Sequence, residues 1–102
     1  MLLLAVLCLL LSSGTYAQDS TDGLRKVVTR VTPQYPALAR TMGLKGSVKV
    51  EAVVQPNGTA KSVDIKGGHP VLAQSAANAV RQWKWEPGAK ETHELIEIRF
   101  NP

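Results

Sequence analysis

The sequence predicts a two-layer α+β domain: a three-stranded antiparallel sheet with a short and a long helix on one face. Three observations carry that reading. Apolar and polar residues alternate through "GSVKVEAVV" and "KSVDIK", on either side of an Asn-Gly pair. Apolar residues recur at helical spacing through "VLAQSAANAVRQW", and they alternate again in "LIEIRF" near the end. Helices gathered on one face of an antiparallel sheet make two layers, and the other sheet face is left largely to water.

The chain begins with "LLLAVLCLLL", Leu2 to Leu11, an unbroken apolar run followed by the small and turn-forming "SSGTYA". This is the layout of a secretory signal peptide, with cleavage expected after Ala17, so that residues 1–17 are the signal. The run is short for a membrane span, which needs roughly 20 apolar residues, although no basic side chain precedes it. A retained membrane anchor is the alternative. A lipid anchor on Cys8 is less favoured, because Leu7 stands where a small residue would be wanted. Cys8 is the one cysteine of the chain; if the signal is removed, disulfides and thiolate metal sites go with it.

Residues 18–26 are polar, without a clear period, and residues 18–30 are expected to be a flexible lead-in to a domain over 31–102. A chain of 102 residues allows one small domain with little room for a deep cavity. The formal net charge of +4 suits anionic partners or plain solubility. Nucleic acid is not the expected partner of an exported chain.

The domain opens on "TPQYPALAR". Pro33 and Pro36 lack amide hydrogens and bias Thr32 and Tyr35 toward extended conformations. Pro36 suits the first turn of a short helix built from Ala37, Leu38, Ala39, Arg40 and Met42, with Leu38 and Met42 on one face. Gly43 or Gly46 ends it. Val48, Val50, Ala52 and Val54 then alternate with Lys49, Glu51 and Val53. Pro56-Asn57-Gly58 turns the chain, since Asn-Gly is a strong hairpin signal, and Val63 and Ile65 alternate in the returning strand. The long helix follows from Pro70, with Leu72, Ala76, Ala79, Val80 and Trp83 on its buried face. Arg81 and Lys84 are placed to meet the negative end of its dipole. It stops before Pro87-Gly88. A last strand has Ile96, Ile98 and Phe100 on one side, and Glu97 and Arg99 on the other. The chain closes soon after Phe100, so this strand is expected to be short.

Chemistry has little to work with. His69 and His93 form no metal-binding pattern, no phosphate loop is present, and no cofactor is implied. A Ser75-histidine-Asp64 triad would need a strand-to-helix nucleophile turn, whereas Ser75 sits within a helix. The expectation is a protein that is not an enzyme. Trp83 and Trp85 close the core or present a face to a partner. The last strand, as a sheet edge, offers unpaired backbone to an added peptide strand.

Taken in order, "PQYPALAR", "GSVKVEAVVQPNGTAKSVDI", "AVRQWKWEPG" and "IEIRF" resemble the C-terminal domain of the TonB family, from about Val31 to Phe100. The resemblance implies a periplasmic domain that binds the TonB box, a short segment of outer-membrane receptors, as an extra strand along the last strand. It implies contacts from Thr32, Gln34 and Tyr35 in the Tyr-Pro corner. From the strand it implies contacts by Ile96, Glu97, Ile98, Arg99 and Phe100. Thr32 stands where the best-known member has a glutamine. A full transducer of the family adds a membrane helix that engages a proton-driven motor, and a long proline-rich spacer. Neither is convincing here, so contact with a motor complex through this chain alone is not expected. The reading from another class is a scaffold protein of the envelope that self-associates, as a homodimer for example, through its sheet edges.

Overall fold

The structure is a computed structural model that describes residues 25–101. The apolar run and the cleavage site expected after Ala17 lie outside the described residues. The elements in chain order are β1 (Val27–Thr29), α1 (Ala37–Met42), β2 (Gly46–Val54), β3 (Ala60–Gly67), α2 (Pro70–Val80), β4 (Lys84–Trp85) and β5 (Thr92–Phe100). β2 is the centre of an antiparallel sheet of order β3-β2-β5, and β1 pairs with β4 in a separate two-stranded ribbon. The α+β architecture expected from the sequence is the one observed, with β1 and β4 as additions.

The alternation in β2 places Val48, Val50, Ala52 and Val54 wholly inside. α2 lies over β2 and β3 and buries Leu72, Ala73, Ala76, Ala77 and Val80 against them. Burial of this apolar face, at about 25 cal/mol per Å², is the main favourable term holding the two layers together. His69 caps the start of α2: its Nδ1 accepts from the Val71 amide at 3.2 Å, and Pro70 follows at the first helical position. The histidine therefore has a structural role, in keeping with its exposure.

Three expectations are corrected. The lead-in expected to run to residue 30 contains a paired strand. Val27–Thr29 pairs with β4, and Arg25 is buried. α2 stops at Val80. Lys84 lies in β4, away from the helix terminus, and Trp83 follows the helix rather than belonging to it. The indoles of Trp83 and Trp85 pack 6.0 Å apart in the core. α1 presents Leu38 and Met42 together, as expected, on an exposed face, and Ala39 is its buried residue. Lastly, β5 is not short. Its nine residues pair with all nine of β2, from Gly46↔Phe100 to Val54↔Thr92, without a break in register.

The buried Arg25 ties the hairpin end of the sheet to the chain around it. Its guanidinium donates to the carbonyls of Gln55 (3.0 Å), Glu86 (3.1 Å) and Lys90. Cationic donors on carbonyls are stronger than neutral pairs, and they offset the cost of burying the charge. Gly88 leaves the necessary space, because a Cβ there would stand 2.6 Å from Arg25 Nε. Gly58, with φ +93, closes the turn of the β2–β3 hairpin. It lies so close to β4 that a Cβ would collide with the Trp85 carbonyl. The "WEPG" segment and the "PNG" turn are thus two halves of one packed end.

Candidate functional site

β5 is an edge strand. β2 pairs along one side of it, and no strand pairs along the other among the described residues. A row of unpaired amide and carbonyl groups on such an edge is a template for another strand. Ile96 and Phe100 point into the core and Ile98 is half-buried on the same side; Glu97 and Arg99 are exposed on the open face. The expected alternation holds along these five residues. Glu94 departs from it. It is fully buried, its Oε2 accepts from Thr92 Oγ1 at 2.8 Å, and its Oε1 has no donor among the described residues.

The corner stands beside the end of this strand. Tyr35 meets Phe100 edge-to-face, with ring centroids 5.8 Å apart and planes at 83°. Its hydroxyl donates to the Leu44 carbonyl, and the Arg40 guanidinium lies 5.5 Å from its ring. Such aromatic pairs contribute about 0.5–1.5 kcal/mol beyond their buried area. Pro36, with φ −63 and ψ 140, is extended and leads directly into α1. The two prolines thus hold the corner in place, with Tyr35 docked on the last residue of β5.

Thr32 and Gln34 are positioned differently. Both line a groove of about 560 Å³ between the corner and α2, whose opposite wall carries Gln74, Ser75, Asn78 and Gln82. Ser75 Oγ donates to the Gln34 carbonyl and ties the walls together. The serine weighed above as a nucleophile is therefore a tether. The corner is fixed a second time where Trp83 Nε1 donates to the Val31 carbonyl at 3.0 Å, with Arg30 5.1 Å from the indole centroid. The α2 wall was missed in the sequence, although amides at positions 74, 78 and 82 repeat at the spacing of one helix face.

On the open face, Glu51 accepts from Lys66 (3.5 Å) and sits 3.1 Å from His93 Nδ1. The hydrogen bond to His93, and then the lysine charge, hold the Glu51 carboxyl below its ordinary range. No helix among the described residues is long and apolar enough to cross a membrane, and no group of three or more metal-ligating side chains occurs among them.

These features define a class: a small α+β domain with a regular, open edge strand and a rigid aromatic corner at its end. The family model of the Gram-negative bacterial TonB protein C-terminal matches residues 31–102. The chain belongs to the TonB C-terminal domain family. Protein TonB of Escherichia coli K12 is 34% identical over 77 residues, covering 74% of this chain and 32% of that protein. Protein TonB of Vibrio cholerae is 35% identical over 81 residues, covering 72% and 33%. This chain spans about a third of the length of these relatives. The solution NMR structure of the Pseudomonas aeruginosa TonB CTD superposes with a TM-score of 0.62 at 20% identity, covering 76% of this chain and 86% of that one. That likeness supports the fold.

Proposed function

We propose that this chain is a periplasmic peptide-binding module of TonB-dependent transport. It takes the TonB box of an outer-membrane receptor as an added strand along β5, and it acts by binding rather than by catalysis. The observation that carries this reading is the outer edge of β5: nine residues in unbroken register with β2, and unpaired along the far side among the described residues. Main-chain bonds along such an edge supply affinity, while side chains at alternate positions supply selectivity. His93, Leu95, Glu97 and Arg99 are exposed along β5 and Ile98 is half-buried, and Tyr35 closes the end of the site against Phe100.

The test is titration of the ¹⁵N-labelled protein with peptides that carry the TonB boxes of receptors from the same cell. The expected result is a set of amide shifts running along Ile96 to Phe100 and reaching Tyr35. Shifts elsewhere, or none at the solubility limit of the peptides, would overturn the reading. The same open edge favours self-pairing as a second reading. A mass that rises with protein concentration, and falls when peptide is added, would place both partners on β5.

A further inference from the structure

The groove between the corner and α2 has a chemical character unlike the rest of the surface. One residue in five of the chain is charged (20%), yet no ionisable side chain lines the groove. Its α2 wall carries three carboxamides in one row: Gln74, Asn78 and Gln82, at i, i+4 and i+8. The helical turn carries on past Val80 to this last rung, since the Gln82 amide donates to the Ala79 carbonyl at 3.0 Å. Four helical residues rise about 6.0 Å. Two residues of an extended peptide advance about 6.6–6.8 Å. Successive rungs therefore meet alternate peptide units, and the difference is within the reach of a glutamine side chain. Each carboxamide has an acceptor oxygen and a two-donor nitrogen, so one rung can pair with both groups of a peptide unit.

The facing wall is complementary. The side chain of Gln34 is exposed and, like that of Gln74, makes no hydrogen bond among the described residues. The backbone amides of Thr32 and Gln34 also have no partner among them. Asn78 Oδ1 accepts from Arg81 at 2.7 Å, while its nitrogen makes no hydrogen bond among the described residues, and Gln82 Nε2 makes only a long 3.3 Å contact with the Asn78 carbonyl. Ser75 and its bond to Gln34 keep the walls at a set distance.

We infer that this groove holds a short length of extended, uncharged polypeptide, gripped through its backbone by Gln74, Asn78 and Gln82 on one side and by Thr32 and Gln34 on the other. It is a second peptide site, separate from the edge of β5, and does not depend on strand addition there. The groove offers no charged side chain to pair with an ionised one, so neutral side chains suit it better.

The experiment follows the side-chain NH₂ signals of the ¹⁵N-labelled protein during titration with the blocked peptide acetyl-Ser-Ala-Thr-Ala-Ser-amide. The expected result is one saturable curve shared by the carboxamides of Gln34, Gln74, Asn78 and Gln82, with the amides of Ile96 to Phe100 unmoved. Gln74→Ala should weaken binding about fivefold, the cost of one lost hydrogen bond. Alanine is the best helix former at this exposed helical position, so the fold is kept. The same peptide fully N-methylated should not bind. The inference is overturned if the carboxamides stay still, if shifts appear only along β5, or if the N-methylated peptide binds equally well. It is overturned in favour of a carbohydrate site if chitotriose moves the carboxamides and the peptide does not.

Discussion

The two edges of the sheet are built on opposite plans. β3 pairs with β2 through two breaks in register, between Lys49 and Val50 and between Val53 and Val54. It carries Lys61 and Lys66, each held by a carboxylate of a neighbouring segment, Glu91 and Glu51. At its start Thr59 bridges to Lys84, and the hairpin turn is tied to β4 by the Trp85 amide on the Gly58 carbonyl at 2.9 Å. β5 has no break in register and no lysine; its charges are Glu97 and Arg99 on the open face, and His93 is held by Glu51. The strand is regular over nine residues, and α2 lies over the other two strands. Breaks in register and lysines are how natural sheets discourage an extra strand. One edge of this sheet is thus guarded and the other left available, on a single central strand.

Substitutions at the guarded end should move stability and spare peptide binding; those at the available end should do the reverse. The largest expected effect is from Arg25→Ala, which leaves three carbonyls without their cationic donor. It should lower stability by about 3 kcal/mol in denaturant titration. Gly88→Ala comes next, at about 1–2 kcal/mol, because the added methyl presses on the pinned guanidinium. In the Arg25→Ala background that cost should vanish, and additive losses would show that the two are not coupled. Tyr35→Phe removes the hydroxyl bond to Leu44 and should cost about 1 kcal/mol. Tyr35→Ala also removes the ring from Phe100, and should weaken TonB-box peptides more than it weakens the fold. Equal loss in Arg25→Ala would erase the contrast between the two ends.

The smallest effect is electrostatic and lies on the open face. Glu51 has a lowered folded-state pKa, caused first by the hydrogen bond to His93. Its contribution is therefore present above the ordinary carboxylate value near 4.5, and is lost as pH falls through the lower folded value. Glu51→Gln should be slightly less stable than the parent at neutral pH, and equal to it in strong acid. A gap that persists in acid would assign the effect to packing instead. Salt should shrink the neutral-pH gap, since the group is solvated.

Much of this was legible in the sequence because it depends on local pattern. Period-two runs located β2, β3 and β5, and Asn57-Gly58 located the hairpin. Pro36 and Pro70 located the starts of both helices. What was not legible depends on contacts between distant segments. Arg25 sits in a polar stretch with no period, and only three carbonyls from two distant loops give it a place. Lys84–Trp85 reads as a continuation of α2 until β1 is there to pair with it. Leu38 and Met42 share a face as expected, but only the position of the sheet shows that the face is outward. At the candidate site, the alternation of Ile96 to Phe100 was readable. The division of the corner was not: Tyr35 goes to β5, while Thr32 and Gln34 go to the α2 groove. That division is set by which neighbour each side chain meets.

The unbroken pairing of β5 with β2 has a consequence for how the domain assembles. The β2–β3 hairpin closes across a short turn, a microsecond event in small systems. β5 can join β2 only after β3, α2 and the following loop have been spanned, so its contacts carry the greater loop-closure entropy. The strand that offers the open edge is thus expected to gain protection from hydrogen exchange after the hairpin, in a pulse-labelling refolding experiment. Until β5 docks, the edge of β2 that it later covers is itself unpaired, an open template within the folding chain.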